Sequence, residues 1–408
     1  MIDSASFPGR GKVAVLRTAP ESVLDDIGRL MHMLDYQAAL PKDVRTFLKV
    51  NISWQQWYPA CSSTPWQLEG TIRTLIQDGY SDIVAAHNRT VVVDAYVGEV
   101  NNKHRLVTDR NGIPSLHLYE PEVEWVTYEP KQPFLVLDRI FPDGVKIPKA
   151  FIGTNIIQLP TVKTHVFTTI TGAMKNAFGG LLSERRHWTH AHIHETLVDL
   201  LMIQQDIHTG IFAVMDGTFA GDGPGPRAMR IHEKDIILAS SDQVAIDSVS
   251  ARLQGFDPMS IPFIRIAHER GLGVGDPKEI EVMGMDISGI DWHFETADTL
   301  ASRGQKLIYH GPLRPFEKPL LQSPLVPWSY VASRAYYDGF WYPFIGYPRV
   351  KEALKSKWGH YFDEYGGVPA YIEPLYRPEQ AAAALVLSVG VGLAAYLMRK
   401  GLGGRAKD

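Results

Sequence analysis

The sequence predicts an α/β fold with two lobes, mostly parallel sheets, a small antiparallel excursion, an aromatic-rich C-terminal arm and a hydrophobic tail helix. Three observations lead there. Short apolar runs alternate with helical patterns over the first 300 residues, punctuated by Gly, Pro and Asp. Residues 46–87 read as strand, helix, strand, a unit whose two strands run parallel. After about Gly311 the composition changes character.

Taken in order, Val13–Leu16 is the first strand and Thr46–Val50 the second, ending at Asn51. Ser63 or Thr64 caps a helix with Pro65 in its first turn, and that helix ends near Gly79. Asp82–His87 follows as a strand. Residues 100–150 alternate apolar and polar and carry Pro142-Asp143-Gly144, the signature of an antiparallel excursion. The α/β rhythm returns with strands at 155–160, 211–217 and 235–242, a helix from Gln243 to Gly255, and a last strand at 280–284. The expected organisation is a body at 1–300, an arm at 311–377, a membrane-anchor helix at 378–400 and a basic tail at 401–408.

Composition excludes several classes. The chain has 408 residues, 45% hydrophobic and 21% charged, which is ordinary globular composition. Its net charge of -4 offers no basic field for nucleic acid. A single cysteine, Cys61, excludes a disulfide framework and an all-cysteine iron–sulfur cluster held by one chain. Residues 1–20 show no long apolar core after a basic start, so no secretory leader is expected.

The C-terminal third predicts membrane contact. Between Trp328 and Tyr365 there are thirteen aromatics, about a third of that stretch against 10% of the chain. Such a segment either packs onto the body or lies at the headgroup level, where Trp and Tyr concentrate. Residues 381–398 carry no charge over 18 positions; as a helix they reach about 27 Å, close to a bilayer core of ~30 Å. Ala384, Ser388 and Gly392 share one face of that helix, a small-residue pattern that favours homo-oligomers. The main body is expected on the cytoplasmic side, although positive-inside logic places the basic tail there instead.

The chemistry concentrates between Leu159 and Arg227. Lys163, His165, Thr171, Gly172, Lys175 and Asn176 crowd one segment rich in cations, hydroxyls and glycine, which suits a phosphate or carboxylate. His165 is assigned as general acid or base, with Lys175 and Asp216 completing the catalytic group. Asp216 is expected at a strand end, where open α/β sheets bind ligands, and Asp222 and Gly223 lie in the following Gly-Pro loop. The first unit adds Asn51, Ser63, Thr64, His87 and Arg89 as substrate contacts. His190 and His194 have metal-ligand spacing on a helix but lack companions, so no metal ligand is assigned and the cofactor stays unspecified.

The motifs LPTVKTH, TGAMKNAFGG, VMDGTFAGDGPGP and LASSDQVAIDSVSARLQGFDP, in this order, resemble a bacterial and archaeal family catalogued as domain of unknown function 362. Many members of that family look as if they carry an added ferredoxin-like cluster domain; with Cys61 alone, that module is absent here. A weaker similarity is to lactate racemase, in which a histidine precedes by ten residues the lysine that holds a nickel pincer cofactor; His165 and Lys175 match that spacing. His87 and Arg89 resemble its Gly-Thr-His-Arg turn, but the Gly-Gly before the lysine is Ala173-Met174 here. The reading is an enzyme acting on an anionic small molecule or lipid-linked substrate, by isomerisation, group transfer or reduction. The alternative is a non-catalytic, membrane-attached binding or scaffold protein.

Overall fold

The computed structural model describes residues 2–3, 6–90, 93–309, 311, 331 and 333–368. The expected anchor helix at 378–400, its Ala384/Ser388/Gly392 face and the basic tail lie outside the described residues, as do parts of the arm. Among the described residues no helix is long and apolar enough to cross a membrane.

The strands among the described residues are β1 (Lys12–Arg17), β2 (Thr46–Val50), β3 (Ile83–His87), β4 (Ser115–His117), β5 (Trp125–Thr127), β6 (Lys146–Pro148), β7 (Asn155–Leu159), β8 (Thr161–His165), β9 (Thr169–Ile170), β10 (Gly210–Asp222), β11 (Arg230–Ser240) and β12 (Glu281–Gly284). Ten of them form one sheet, in the order β12-β1-β11-β10-β7-β2-β3-β4, with β8 on β10 and β9 on β8. The pairs β10–β7, β7–β2, β2–β3 and β3–β4 are all parallel. β5 and β6 make a separate antiparallel pair, the expected excursion. The two units placed in separate lobes by the sequence therefore share one sheet, because β2 pairs directly with β7.

Side-chain alternation explains how that sheet is covered. Along β2 and β7, Phe47 and Ile156 enter one apolar cluster, while Leu48, Val50, Ile157 and Leu159 enter another. The helix Pro65–Gln77 covers the second face. Thr64 caps it by accepting the Gln67 N–H, and the Gln67 side chain returns to the Thr64 N–H. On the first face the helix Ile193–Ile207 buries Leu197, Leu200 and Leu201.

The described part of the arm packs on the body. Trp358 stacks on Trp66 at 5.2 Å and Phe362 on Trp57 at 4.2 Å. The indole N–H of Trp54 donates to Asp338 at 2.5 Å and that of Trp358 to Asp235 at 2.7 Å. Most of these rings thus face the protein core. Phe340 and Phe344 differ: they are 50% and 70% exposed and touch each other at 5.7 Å.

Two strand assignments change. The segment after Pro160 is β8 rather than a loop, and all five of its residues are buried against β10 and β9. β10 does not stop at Asp216 but continues to Asp222, then turns back as β11 in an antiparallel ribbon. Within the alternating stretch at 100–150, residues 137–140 form one helical turn.

Candidate functional site

The parallel strands β2, β3, β4 and β7 all end on one side of the sheet, at Val50, His87, His117 and Leu159. The chain leaves each strand there as a loop, which is where open α/β sheets hold ligands. Lys49 comes from the end of β2, Lys163 and His165 from β8, and Lys175 from the helical turn Ala173–Asn176.

This turn is fixed from beneath. The carboxylate of Asp247, on the helix Gln243–Gln254, accepts the N–H groups of Ala173 (2.6 Å) and Met174 (3.1 Å). A Cβ on Gly172 would fall 2.2 Å from an Asp247 oxygen, so only glycine fits. Burial pushes the Asp247 carboxyl up to about 8, although both N–H groups act against the rise. The Asn176 amide donates to the Lys49 carbonyl and to Gln158 Oε1, each at 2.8 Å. Gln158 donates in turn to Gln204.

The lysines stand without acids. Lys163 Nζ donates to the Cys61 carbonyl at 2.9 Å and to Thr161 Oγ1 at 2.6 Å. Lys49 Nζ donates to the Val50 carbonyl at 2.6 Å. Lys175 lies 5.6 Å from the Phe178 ring centre. None of the three makes an ion pair among the described residues. Burial lowers their amines to about 7 for Lys49, about 8 for Lys163 and about 7 for Lys175. Next to burial, the Arg186 charge lowers Lys49, and the charges of Lys163 and Arg186 lower Lys175. Arg186 thus extends a positive field over Lys49 and Lys175, and Lys163 adds to it at Lys175.

His165 shares that field. Burial holds its imidazole well below the usual range, helped by Lys175, His190, Lys163 and His194. Its Nδ1 accepts the Phe167 N–H at 3.1 Å. His190 is lowered to about 4, mainly by burial, and stacks on Tyr309 at 5.6 Å. His190 belongs to a 3-10 segment, Glu184–His192, whereas His194 belongs to the following α-helix, so the two do not share one helix face.

The expected partner Asp216 is engaged elsewhere. It accepts the Thr64 hydroxyl at 2.5 Å and the Thr218 N–H at 2.7 Å, and no hydrogen bond joins it to His165 or Lys175. Its place inside β10, not at the strand end, accounts for this. Asp222, the true strand end, accepts Arg230 Nε at 2.8 Å and the Glu295 N–H at 2.8 Å. Gly223 has φ +100° and its carbonyl accepts the Thr164 hydroxyl at 2.7 Å. Asn51 and Ser63 knit the loop after β2: Asn51 donates to the Cys61 carbonyl at 3.1 Å and Ser63 to the Leu159 carbonyl at 2.6 Å. Thr171 donates to the carbonyls of Thr161 and Lys163. These residues shape the crevice and direct their own polar atoms into the protein.

A second group stands at the ends of β3 and β4. His87 and His117 face each other in register, with ring centres 4.5 Å apart. Glu99, on the helix Ala95–Asn101, places Oε2 3.0 Å from His117 Nε2 and 3.5 Å from His87 Nε2. Arg89 lies 5.5 Å from the Tyr119 ring centre, and its carbonyl accepts Arg186 at 2.6 Å. Sequence reasoning found His87 but missed Glu99 and His117, because nothing in their spacing marks them. The available signal was two consecutive parallel strands, each ending in histidine.

A family model described as Domain of unknown function (DUF362) matches residues 46–252, just over half of the chain. That range holds every residue named above as a ligand contact. Thylakoid-associated protein sll1697 of Synechocystis sp. (strain ATCC 27184 / PCC 6803 / Kazusa) is 28% identical over 120 residues, 29% of this chain and 37% of the relative. The chain thus spans little more than a third of the curated relative it matches. No solved structure matches. The weaker likeness to lactate racemase gains no support from these comparisons. The family match and the motifs at 159–180, 214–226 and 238–258 agree, and the chain belongs to the family of the domain of unknown function 362.

Proposed function

We propose that this protein is an enzyme that binds an anionic small molecule or lipid headgroup at the carboxyl ends of β2, β7 and β8. One observation carries the reading: Lys49 and Lys163 are buried and Lys175 is half-buried, Arg186 adds positive charge at Lys49 and Lys175, and among the described residues none of the three has an acid to neutralise it. Buried charges are ordinarily paired, because an unpaired one is costly to desolvate. A phosphate or carboxylate in the crevice supplies the missing partner and restores the protonated amines. Asn176 and the Thr171–Gly172 turn hold Lys175 in place.

The same group supports proton transfer. An amine lowered to about 7 exchanges protons near neutral pH, which suits Lys175 as general base or acid. Because His165 Nδ1 accepts the Phe167 N–H, its proton resides on Nε2, and the neutral ring acts as a hydrogen-bond donor. Isomerisation and group transfer both use such a set. The test is a thermal-shift titration of the full chain with sulfate, malonate and a soluble phospholipid headgroup. A saturable rise with at least one anion, lost in Lys175→Met, supports the site. No rise with any anion, or a rise unchanged in Lys175→Met, refutes it.

Membrane attachment is a second element of this proposal. Exposed Phe340 and Phe344 precede the uncharged stretch at 381–398, and the relative from Synechocystis is named as thylakoid-associated. Two such signals are what stable attachment needs. Flotation with anionic vesicles is the check. The full chain should float through high salt, and a chain stopped at Arg377 should float at low salt only. If both stay at the bottom of the gradient, this part of the proposal fails.

A further inference from the structure

We propose that His87, Glu99 and His117 form a binding site for a divalent first-row transition metal ion, such as Zn²⁺ or Fe²⁺, with an open position for a ligand. The proposal rests on this triad alone and does not require the anion crevice.

The three donors come from different elements that converge at one point. His87 ends β3, His117 ends β4 and Glu99 projects from the helix Ala95–Asn101. The register pairs His87 with His117, so both rings leave neighbouring strands at one level. Asp94 fixes the helix start by accepting the N–H groups of Tyr96 and Val97. One donor atom from each residue lies within 4.8 Å of the others. Donors held at about 2.1 Å from one ion are about 3.0 to 3.5 Å apart, depending on the coordination angle. The two Glu99–histidine separations, 3.0 and 3.5 Å, fall in that interval.

Hydrogen bonding alone leaves this arrangement incomplete. His87 is 2% exposed; its Nδ1 has no partner, and its Nε2 reaches only Glu99 Oε2, at 3.5 Å and without hydrogen-bond geometry. A buried polar atom without a partner costs about 1–3 kcal/mol, so such atoms mark places where something else binds. The Tyr119 hydroxyl is also enclosed without a partner, and its ring lies 6.3 Å from His87 and 5.8 Å from His117. A metal accepts the lone pair of His87 and neutralises Glu99. The His117 side chain is 20% exposed, which gives the ion a way in.

Ligand chemistry sets the kind of ion. Two imidazoles and one carboxylate suit zinc or ferrous iron, and are poor for magnesium or calcium, which prefer oxygen. Three protein ligands leave coordination positions free, as in catalytic rather than structural sites. The bound ion then offers its open face to water or to an oxygen of a ligand.

The experiment titrates the chelator-treated full chain with Co²⁺ and Zn²⁺. The expected result is one equivalent of either ion and a visible Co²⁺ absorption typical of nitrogen and oxygen ligands. His117→Ala should weaken affinity by about tenfold or more. Glu99→Gln should do the same with unchanged circular dichroism, and His190→Ala should bind like the unaltered chain. His117 is the partly exposed member, so its replacement leaves the fold testable even where His87→Ala does not fold. Failure to take up either ion overturns the proposal, as does unchanged affinity in both His117→Ala and Glu99→Gln.

Discussion

The buried acids and the buried lysines of this protein are treated in opposite ways. Asp242 accepts four backbone N–H groups, from Gly11, Val244, Ala245 and Val274, at 3.0 to 3.1 Å. Asp247 accepts two and Asp216 one, plus the Thr64 hydroxyl. These carboxylates are consumed in holding turns and helix starts. Among the described residues Lys49 and Lys163 meet carbonyl and hydroxyl oxygens, half-buried Lys175 meets an aromatic ring, and His87 makes no hydrogen bond beyond its 3.5 Å approach to Glu99. The difference is the basis of the proposed function: groups satisfied internally shape the site, and groups left under-satisfied are the ones assigned there to hold a ligand.

The largest expected effect is on the acidic side. Asp242→Ala strands four buried N–H groups, and we expect a loss on the order of 4 kcal/mol in denaturant unfolding. A loss under about 1 kcal/mol would erase the contrast. Gly172→Ala follows, since its Cβ meets the Asp247 carboxylate; about 2–3 kcal/mol is expected, by the same measurement.

Replacing a lysine should act in the other direction. Lys175→Met removes an unpaired cation from beside Lys163 and Arg186, so stability at neutral pH should stay level or rise by about 1 kcal/mol. Anion affinity should fall about 10- to 100-fold, the loss of one charge-assisted hydrogen bond. A destabilised variant with unchanged affinity would make Lys175 structural.

The pH dependence has a definite sign. A lysine at about 7 in the folded state and about 10.4 when unfolded binds fewer protons folded than unfolded between those values. Its contribution therefore makes stability rise with pH from about 7 to 10, and Lys49→Met should flatten that rise. The smallest expected effect on stability belongs to the arm. Phe344→Ser removes an exposed ring, so it should change stability by less than about 0.5 kcal/mol while weakening vesicle flotation.

Much of the fold was legible in local pattern. The strand Thr46–Val50 and the helix starts at Thr64 and Asp242 follow directly from apolar runs and cap residues. Asp247, inside an apolar helix face, finds its partners in the N–H groups of Ala173 and Met174. β8 was not legible. Thr-Val-Lys-Thr-His reads as a polar loop, and only pairing with β10 and β9 makes it a buried strand. The end of β10 was hidden for a similar reason: Gly217 and Gly221 look like turn residues but sit inside the ribbon with β11. Of the site, Lys163, His165 and Lys175 were legible as a cluster in sequence. Lys49 was not, because it lies inside an apolar strand, and Glu99 and His117 are distant in sequence from His87.

The central claim is that the crevice binds an anion by recharging its lysines. Isothermal titration of the full chain with sulfate near pH 8, in buffers of different ionisation enthalpy, counts the protons taken up. Sulfate keeps its own charge at that pH, whereas amines lowered to about 7 and 8 are largely or half deprotonated. The account predicts saturable binding with uptake of about one proton or more per sulfate, and less uptake in Lys175→Met. Saturable binding with no proton uptake, or no saturable binding, would contradict it.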